Sequence, residues 1–140
     1  MDEELARLQG EWAIVHLEIN GLAPAPHTFA GARMVIHGDR FESLGMGAVY
    51  EGTIELDADT LPRVFRMKFT AGPEKGNTNA GIYELEGDRW RICLNMTGGP
   101  APAAFETSPG SGCALETLDR VPGGPPPPEA PAIAPPVIIE

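Results

Sequence analysis

The sequence predicts an all-β fold, an eight-stranded antiparallel up-and-down barrel with a short N-terminal helical turn and an extended proline-rich C-terminal tail. Short segments in which apolar and polar residues alternate recur along the chain, and turn signals rich in Gly, Asn and Asp separate them at short intervals. Closing such a meander removes its exposed edges. The interior of an eight-stranded barrel is either filled by side chains or holds one small ligand.

The size and charge of the chain limit the classes of function. The 140 residues suit one domain, which we place at 1–120, followed by the tail at 121–140. A net charge of -10 disfavours nucleic acid as a partner, because phosphate backbones are also anionic. No apolar run approaches the roughly 20 residues of a membrane span, and the acidic start lacks the features of a signal peptide. A cytoplasmic location is therefore expected.

The first elements are a helical turn and a long strand. Residues 3–8 suit one or two helical turns, with Leu5 and Leu8 on one face and Gly10 as the stop. A strand at 12–19 follows, and Asn20-Gly21 ends it. Simple alternation puts its even-numbered residues on one face, Trp12, Ile14, His16 and Glu18.

This alternation predicts that His16 and Glu18 face the barrel interior with Trp12. A buried histidine beside a carboxylate orients a polar ligand or relays a proton. The alternative is a satisfied structural hydrogen bond or a place at the solvent-facing rim. His27 and His37 have no partner at metal-ligand spacing, so we assign them to the surface.

Seven further strands complete the meander. They are predicted at 33–37, 40–44, 48–56, 63–70, 81–85, 89–94 and 115–120. Gly38-Asp39 has the chemistry of a tight hairpin turn. Gly52 falls on the packed side of its strand, where a missing side chain allows a bend. A Gly/Pro/Ala segment at 98–112 interrupts the meander before the last strand.

Alternation also defines a candidate barrel interior beyond the first strand. Its large members are Tyr50, Phe65, Met67, Phe69, Tyr83 and Trp90. They either fill the barrel or line a ligand cavity, and both alternatives remain open. No nucleophile elbow, phosphate loop, HExxH or paired-cysteine motif occurs, so no catalytic residue, cofactor or metal is predicted. Cys93 and Cys113 are expected to be free thiols, with a disulfide as the alternative.

The tail differs in composition from the rest of the chain. Residues 121–140 contain eight prolines, including the run 125–128, which favours an extended polyproline II conformation. The chain ends on the apolar residues Val137, Ile138 and Ile139 before Glu140. Three interpretations are open, namely a frayed end, a peptide that docks to a protein partner, or a segment folded back onto the first strand.

Several motifs, taken in order, resemble a known family. They are Leu8-Gln9-Gly10-x-Trp12, Gly31-Ala32-Arg33, Gly38-Asp39-Arg40-Phe41, Glu51-Gly52-Thr53, Gly72-Pro73-Glu74-Lys75-Gly76, Gly81-Ile82-Tyr83-Glu84-Leu85-x-Gly87-Asp88 and Ile92-Cys93-Leu94. Gly10-x-Trp12 matches the signature that opens the first strand of lipocalins. Over about residues 5–120 the combination resembles a family of uncharacterised bacterial lipocalin-like domains that is abundant in planctomycetes.

The resemblance implies a calycin-type barrel with Gly10 and Trp12 as structural residues, and it brings no established activity, ligand or catalytic residue. Where that family commonly has Arg-Pro, this chain has Ala101-Pro102, so any role of that arginine is absent. In lipocalins a basic residue late in the barrel often packs across the signature tryptophan. Arg120 is the nearest candidate here.

Two functional hypotheses follow. The first is a non-enzymatic lipocalin-like module that binds a small apolar or amphipathic ligand in the barrel. The alternative is a protein-interaction, assembly or cargo component, in which a solid barrel is a scaffold and Val137, Ile138 and Ile139 dock to a partner. An enzyme that uses His16 is the least favoured reading.

Overall fold

The computed structural model describes residues 3–45 and 47–122 and confirms the closed eight-stranded antiparallel barrel. One α-helix and one 3-10 helix accompany the strands, α1 (Glu3–Leu8) before β1 and a turn at Pro26–Phe29 after it. The strands are β1 (Gly10–Ile19), β2 (Arg33–His37), β3 (Arg40–Leu44), β4 (Tyr50–Asp57), β5 (Arg63–Ala71), β6 (Thr78–Glu86), β7 (Arg89–Asn95) and β8 (Cys113–Arg120). Each strand pairs with the next, and β1 closes the barrel against β8.

Strand boundaries agree best with prediction where the turn chemistry is strongest. β2 and β3 begin and end as predicted, because Gly38 adopts a φ of 65° in a tight turn with Asp39. β6 begins at Thr78, three residues earlier than predicted, because Thr78, Asn79 and Ala80 also pair with residues of β5. Like all the described helices, α1 is too short to cross a membrane.

A bulge in β1 changes which of its residues face inward. The register of β1 against β8 shifts between Ile14 and His16. Before the shift Trp12 and Ile14 are buried. After it Leu17 is buried and only 3% exposed, whereas Val15, at the shift, is 46% exposed. Because an extra residue reverses the alternation, the inward set passes from even to odd numbers within one strand.

Helix α1 closes one end of the barrel, beneath Trp12. The Trp12 indole Nε1 donates to the Leu8 carbonyl over 2.9 Å, and both residues are fully buried. The Gln9 side chain accepts from the Gly38 amide and donates to the Gly38 carbonyl. The Tyr83 hydroxyl donates to Glu4 over 3.0 Å. These bonds join the helix to three different strands or their turns, so this end is sealed.

Aromatic rings fill the half of the barrel next to α1. Trp12 and Trp90 meet edge to face with centroids 5.6 Å apart, and Phe65 and Tyr83 meet similarly at 6.2 Å. All four side chains are at most 1% exposed. This half of the barrel is therefore a packed core, as expected if side chains fill the interior.

The connection between β7 and β8 lies against the outside of the barrel as a strap, which we define as residues 98–112. The Arg91 guanidinium stacks 4.6 Å from the centre of the Phe105 ring, and the Cys93 thiol points to the Glu106 carbonyl. The Thr107 hydroxyl donates to the Glu18 carboxylate. The strap thus covers an outer face of the sheet that solvent would otherwise reach.

Cys93 and Cys113 are both buried free thiols, in agreement with the first of the two expectations. Burial raises the pKa of the Cys93 thiol. The predicted docking residues Val137, Ile138 and Ile139 lie outside the described residues.

Candidate functional site: a cavity at the open end of the barrel

The half of the barrel away from α1 contains a cavity of about 300 Å³. It lies at the end where the β1–β2, β3–β4, β5–β6 and β7–β8 connections meet. Its walls are formed by Ile14, Leu17, Ile19, Met34, Phe41, Ser43, Tyr50, Met67, Phe69, Glu74, Asn79, Ile92, Leu94, Met96, Ala114 and Glu116. Most of these side chains are apolar, and the volume falls at the small end of the range for ligand sites in proteins.

Three of the predicted interior residues line this cavity, namely Tyr50, Met67 and Phe69. Phe69 meets Phe41 edge to face at 5.2 Å and Tyr50 at 6.2 Å. Strict alternation in β5 places Met67 and Phe69 on the inner face with Phe65. Because Tyr50 is the first residue of β4 and only half-buried, it stands at the mouth.

The other candidate interior residues beyond the first strand are buried but belong to the filled half. Phe65, Tyr83 and Trp90 are all at most 1% exposed, and none of them lines the cavity. Their inward orientation was predicted correctly. Their position along the barrel axis was not predicted, because alternation assigns a residue to a face of the sheet and does not give its height.

The prediction that His16 and Glu18 face the interior is wrong. His16 is exposed, and Glu18 is half-buried on the outer face, where it accepts the Thr107 hydroxyl of the strap. Neither residue lines the cavity. The β1 bulge turns both side chains outward, so the proposed His–Glu pair inside the barrel does not exist. His27 and His37 are exposed, as predicted.

Glu116 is the residue that sequence reasoning missed. It pairs with Leu17 of β1 and Ile92 of β7, two inward-facing residues, and its side chain lines the cavity. Its Oε1 atom is inaccessible to solvent and has no hydrogen-bond partner among the described residues. The signal was available, because Ala114, Glu116 and Leu118 alternate and Leu118 is strongly apolar.

Desolvation changes the acidity of Glu116. Burial raises the pKa of its carboxyl group from 4.5 to about 7, with no hydrogen bond or ion pair to oppose the shift. The carboxyl group therefore changes charge near neutral pH. A carboxyl group with a raised pKa and one oxygen shielded from solvent, in a concave apolar site, is a common mark of a functional position.

Asn79 provides a second unpaired acceptor in the same wall. The residue is 2% exposed, and its Nδ2 donates to Glu74 over a long 3.5 Å. Its Oδ1 has no partner among the described residues. The Glu74 carboxylate can only accept hydrogen bonds. Rotating the Asn79 amide by 180° would bring its Oδ1 against that carboxylate, so the orientation with Nδ2 towards Glu74 is the favourable one.

The chemistry of the cavity is thus apolar with acceptors and without cationic side chains. No Lys, Arg or His is among its described lining residues. Within residues 3–45 and 47–122, no group of three or more His, Cys, Asp and Glu is arranged to hold a metal ion. The arrangement suits a small molecule with an apolar body and hydrogen-bond donors.

Comparison with family models, with curated proteins and with solved structures finds no match to this chain. The likeness to the bacterial lipocalin-like family therefore rests on the sequence motifs alone.

Proposed function

We propose that this chain is a non-enzymatic, lipocalin-like binding module that holds a small apolar or amphipathic ligand inside its barrel. The observation that carries the proposal is the cavity of about 300 Å³ above a sealed, aromatic-filled floor. A barrel that served only as a scaffold has no need of this space, because filling it with side chains increases stability.

The composition of the cavity wall supports binding by shape and apolar contact. Met34, Met67 and Met96 are flexible, polarisable side chains that adapt to differently shaped ligands. The aromatic rings of Phe41, Phe69 and Tyr50 add rigid apolar surface. The acceptors of Glu116 and Asn79 supply a few polar contacts, as is usual in ligand sites.

A cavity-filling variant tests this proposal. Ala114 lines the cavity and is 3% exposed, so Ala114→Phe places a ring in the space without removing a contact. Titration with 2-phenylethanol, a small amphipathic probe, is expected to give measurable binding to the parent and at least tenfold weaker binding to Ala114→Phe. Native mass spectrometry of the purified protein detects any retained ligand.

The matched control is Thr53→Phe. Thr53 lies on the outer face of β4 between Arg40 and Lys68, so the added ring cannot reach the cavity. Equal binding to all three proteins, or no binding of the probe to the parent, would overturn the proposal.

The docking role of the tail remains a second candidate, favoured by a proline-rich spacer that ends in Val137, Ile138 and Ile139. Deleting residues 123–140 tests it and retains the Val121 amide, which donates to the Glu11 carbonyl. The docking hypothesis requires that the deletion abolish a partner complex or change the oligomer size, while the binding of 2-phenylethanol is unchanged. An unaltered size and partner profile refutes it.

A further inference from the structure

We infer that the cavity recognises a small primary amine, whose ammonium group pairs with Glu116 while its apolar body contacts the barrel wall. This inference rests on the proposed ligand-binding function and names the chemical class of the ligand. Its basis is the set of polar residues that line the cavity, together with the absence of a cationic side chain among the described lining residues.

Two hydrogen-bond acceptors of the cavity-lining residues are unpaired among the described residues. Glu116 and Asn79 both line the cavity, and Glu116 Oε1 and Asn79 Oδ1 are shielded from solvent and have no hydrogen-bond donor among the described residues. A buried acceptor without a donor costs free energy, and a buried carboxylate without a counter-charge costs more. A ligand can supply the donors that these groups lack, and an ammonium group brings three of them with a positive charge.

The residues around Glu116 in the cavity wall are apolar or carry no positive charge. The residues that pair with it, Leu17 on β1 and Ile92 on β7, are both apolar. Besides Glu116, the titratable groups in the cavity wall are Glu74 and Tyr50, and neither is cationic. The charged neighbour Arg91 stacks on Phe105 outside the barrel. Among the residues described at 3–45 and 47–122, no positive side chain in the cavity wall therefore competes with a ligand cation for Glu116.

The carboxyl group of Glu116 disfavours anionic ligands and gives a neutral ligand less than a cationic one. An anionic ligand would place its carboxylate beside Glu116 in a low-dielectric cavity, which is strongly unfavourable. A neutral alcohol donates one hydrogen bond but does not compensate a carboxylate charge. The net charge of -10 also draws cations towards the molecule.

The proton on Glu116 makes the binding pH-dependent. Below about pH 7 the carboxyl group is neutral, so an ammonium ligand must displace its proton. The affinity for an amine is then expected to fall about tenfold for each pH unit below that value and to level off above it. A neutral ligand shows no such dependence, since its binding does not require the carboxylate.

The experiment compares three probes of similar shape, 2-phenylethylamine, 2-phenylethanol and phenylacetate, by calorimetric titration of the full chain at pH 8 and pH 6. At pH 8 the amine is expected to bind at least tenfold more tightly than the alcohol, and phenylacetate more weakly than either. At pH 6 the advantage of the amine is expected to shrink about tenfold, with release of one proton per amine bound.

Two variants assign the effect to Glu116. Glu116→Gln is expected to weaken binding of 2-phenylethylamine at least tenfold at pH 8 and that of 2-phenylethanol by a clearly smaller factor, because the alcohol loses no charge pairing. Glu55→Gln removes the same charge from an exposed position on β4 and is expected to change neither. The pH dependence and proton release of the parent provide a readout that does not depend on either variant.

The outcomes separate the two proposals. If 2-phenylethanol binds and Ala114→Phe blocks it, but the amine has no advantage, the ligand-binding function stands and the amine inference fails. Retained amine affinity in Glu116→Gln, or an affinity that does not vary between pH 6 and pH 8, also overturns the inference. If none of the three probes binds, both proposals fail.

Discussion

The guanidinium of Arg120 lies 4.3 Å from the centre of the Trp12 ring, over the sealed end of the barrel. This contact confirms the prediction that Arg120 packs across the tryptophan. Arg120 also donates to the carbonyls of Arg7 and Gln9 and pairs with Asp88. One side chain therefore joins the last strand to the helix, to the floor of the barrel and to the β6–β7 turn.

Replacing Arg120 tests the role of this contact. Arg120→Met is expected to reduce the free energy of unfolding by about 2–4 kcal/mol, because it removes the cation–π contact and leaves carbonyls without a donor. Urea denaturation measures the change. Arg89→Met is the control, because Arg89 forms only an exposed ion pair with Asp119 and its loss is expected to change the midpoint little. Equal effects of the two substitutions would contradict the assignment.

Because of the bulge in β1, we expect the same substitution at Val15 and at Leu17, two nearby apolar residues, to change stability by different amounts. Leu17→Asp is expected to cost more than about 4 kcal/mol or to prevent folding, because it buries a charge in the barrel wall. Val15→Asp is expected to cost about 1 kcal/mol or less, since Val15 is on the exposed side. Thermal melts followed by circular dichroism distinguish the two, and equally severe effects would show that β1 lacks the register shift.

Glu116 predicts an unusual dependence of stability on pH. The folded protein holds this proton up to about pH 7, whereas the unfolded chain releases it near 4.5. The folded state therefore binds more protons between these values, and the contribution of Glu116 to the free energy of unfolding falls as the pH rises, by up to about 3 kcal/mol.

Comparison with Glu116→Gln isolates this contribution from all other titrating groups. Glutamine cannot ionise, so the variant is expected to gain stability over the parent from pH 5 to pH 8. Chemical denaturation at several pH values measures the difference. A constant offset between the two proteins would mean that the Glu116 pKa is the same in the folded and unfolded states.

A side chain at position 52 is expected to destabilise the barrel, because β4 and β5 approach each other closely there. A Cβ atom at this position would lie 1.9 Å from the Lys68 carbonyl oxygen of the adjacent strand and 2.8 Å from the Phe41 ring. Gly52→Ala is expected to cost about 3 kcal/mol, because the strands must separate. Gly110→Ala, in open space at a φ of 76°, is expected to cost about 1–2 kcal/mol from backbone strain alone. Denaturation midpoints rank the two, and the reverse order would be inconsistent with the close approach of β4 and β5.

The strap predicts slow thiol chemistry at Cys93, since burial raises the pKa of its thiol and Phe105, Glu106 and Thr107 lie over this face. In a Cys113→Ala background, Thr107→Val removes the hydrogen bond to Glu18 and is expected to speed alkylation of Cys93 roughly fivefold. Ser108→Ala is the neighbouring control and is expected to leave the rate unchanged. A labelling rate that is insensitive to Thr107 would show that the strap does not protect the thiol.

The amino-acid sequence by itself determined the barrel. Alternation at β5 and the Gly38-Asp39 turn are local signals, because a strand's pleat and a tight hairpin depend on residues that are adjacent in the chain. The same local signals correctly identified Trp12 as a buried residue and Tyr50, Met67 and Phe69 as interior residues. The resemblance to lipocalins, and not the alternation, indicated Arg120 as the cation near Trp12.

Only the tertiary structure decided which polar residues face the cavity. The β1 bulge is a feature of the pairing between β1 and β8, two strands that are distant in the chain, and it lies between Ile14 and His16. The bulge turns His16 and Glu18 outward. Glu116 of β8 pairs with Leu17 of β1 on one side and with Ile92 of β7 on the other, and like them it faces inward. Closure of the barrel is a relation between distant strands, and the position of the one unpaired carboxyl group in the cavity wall depends on it.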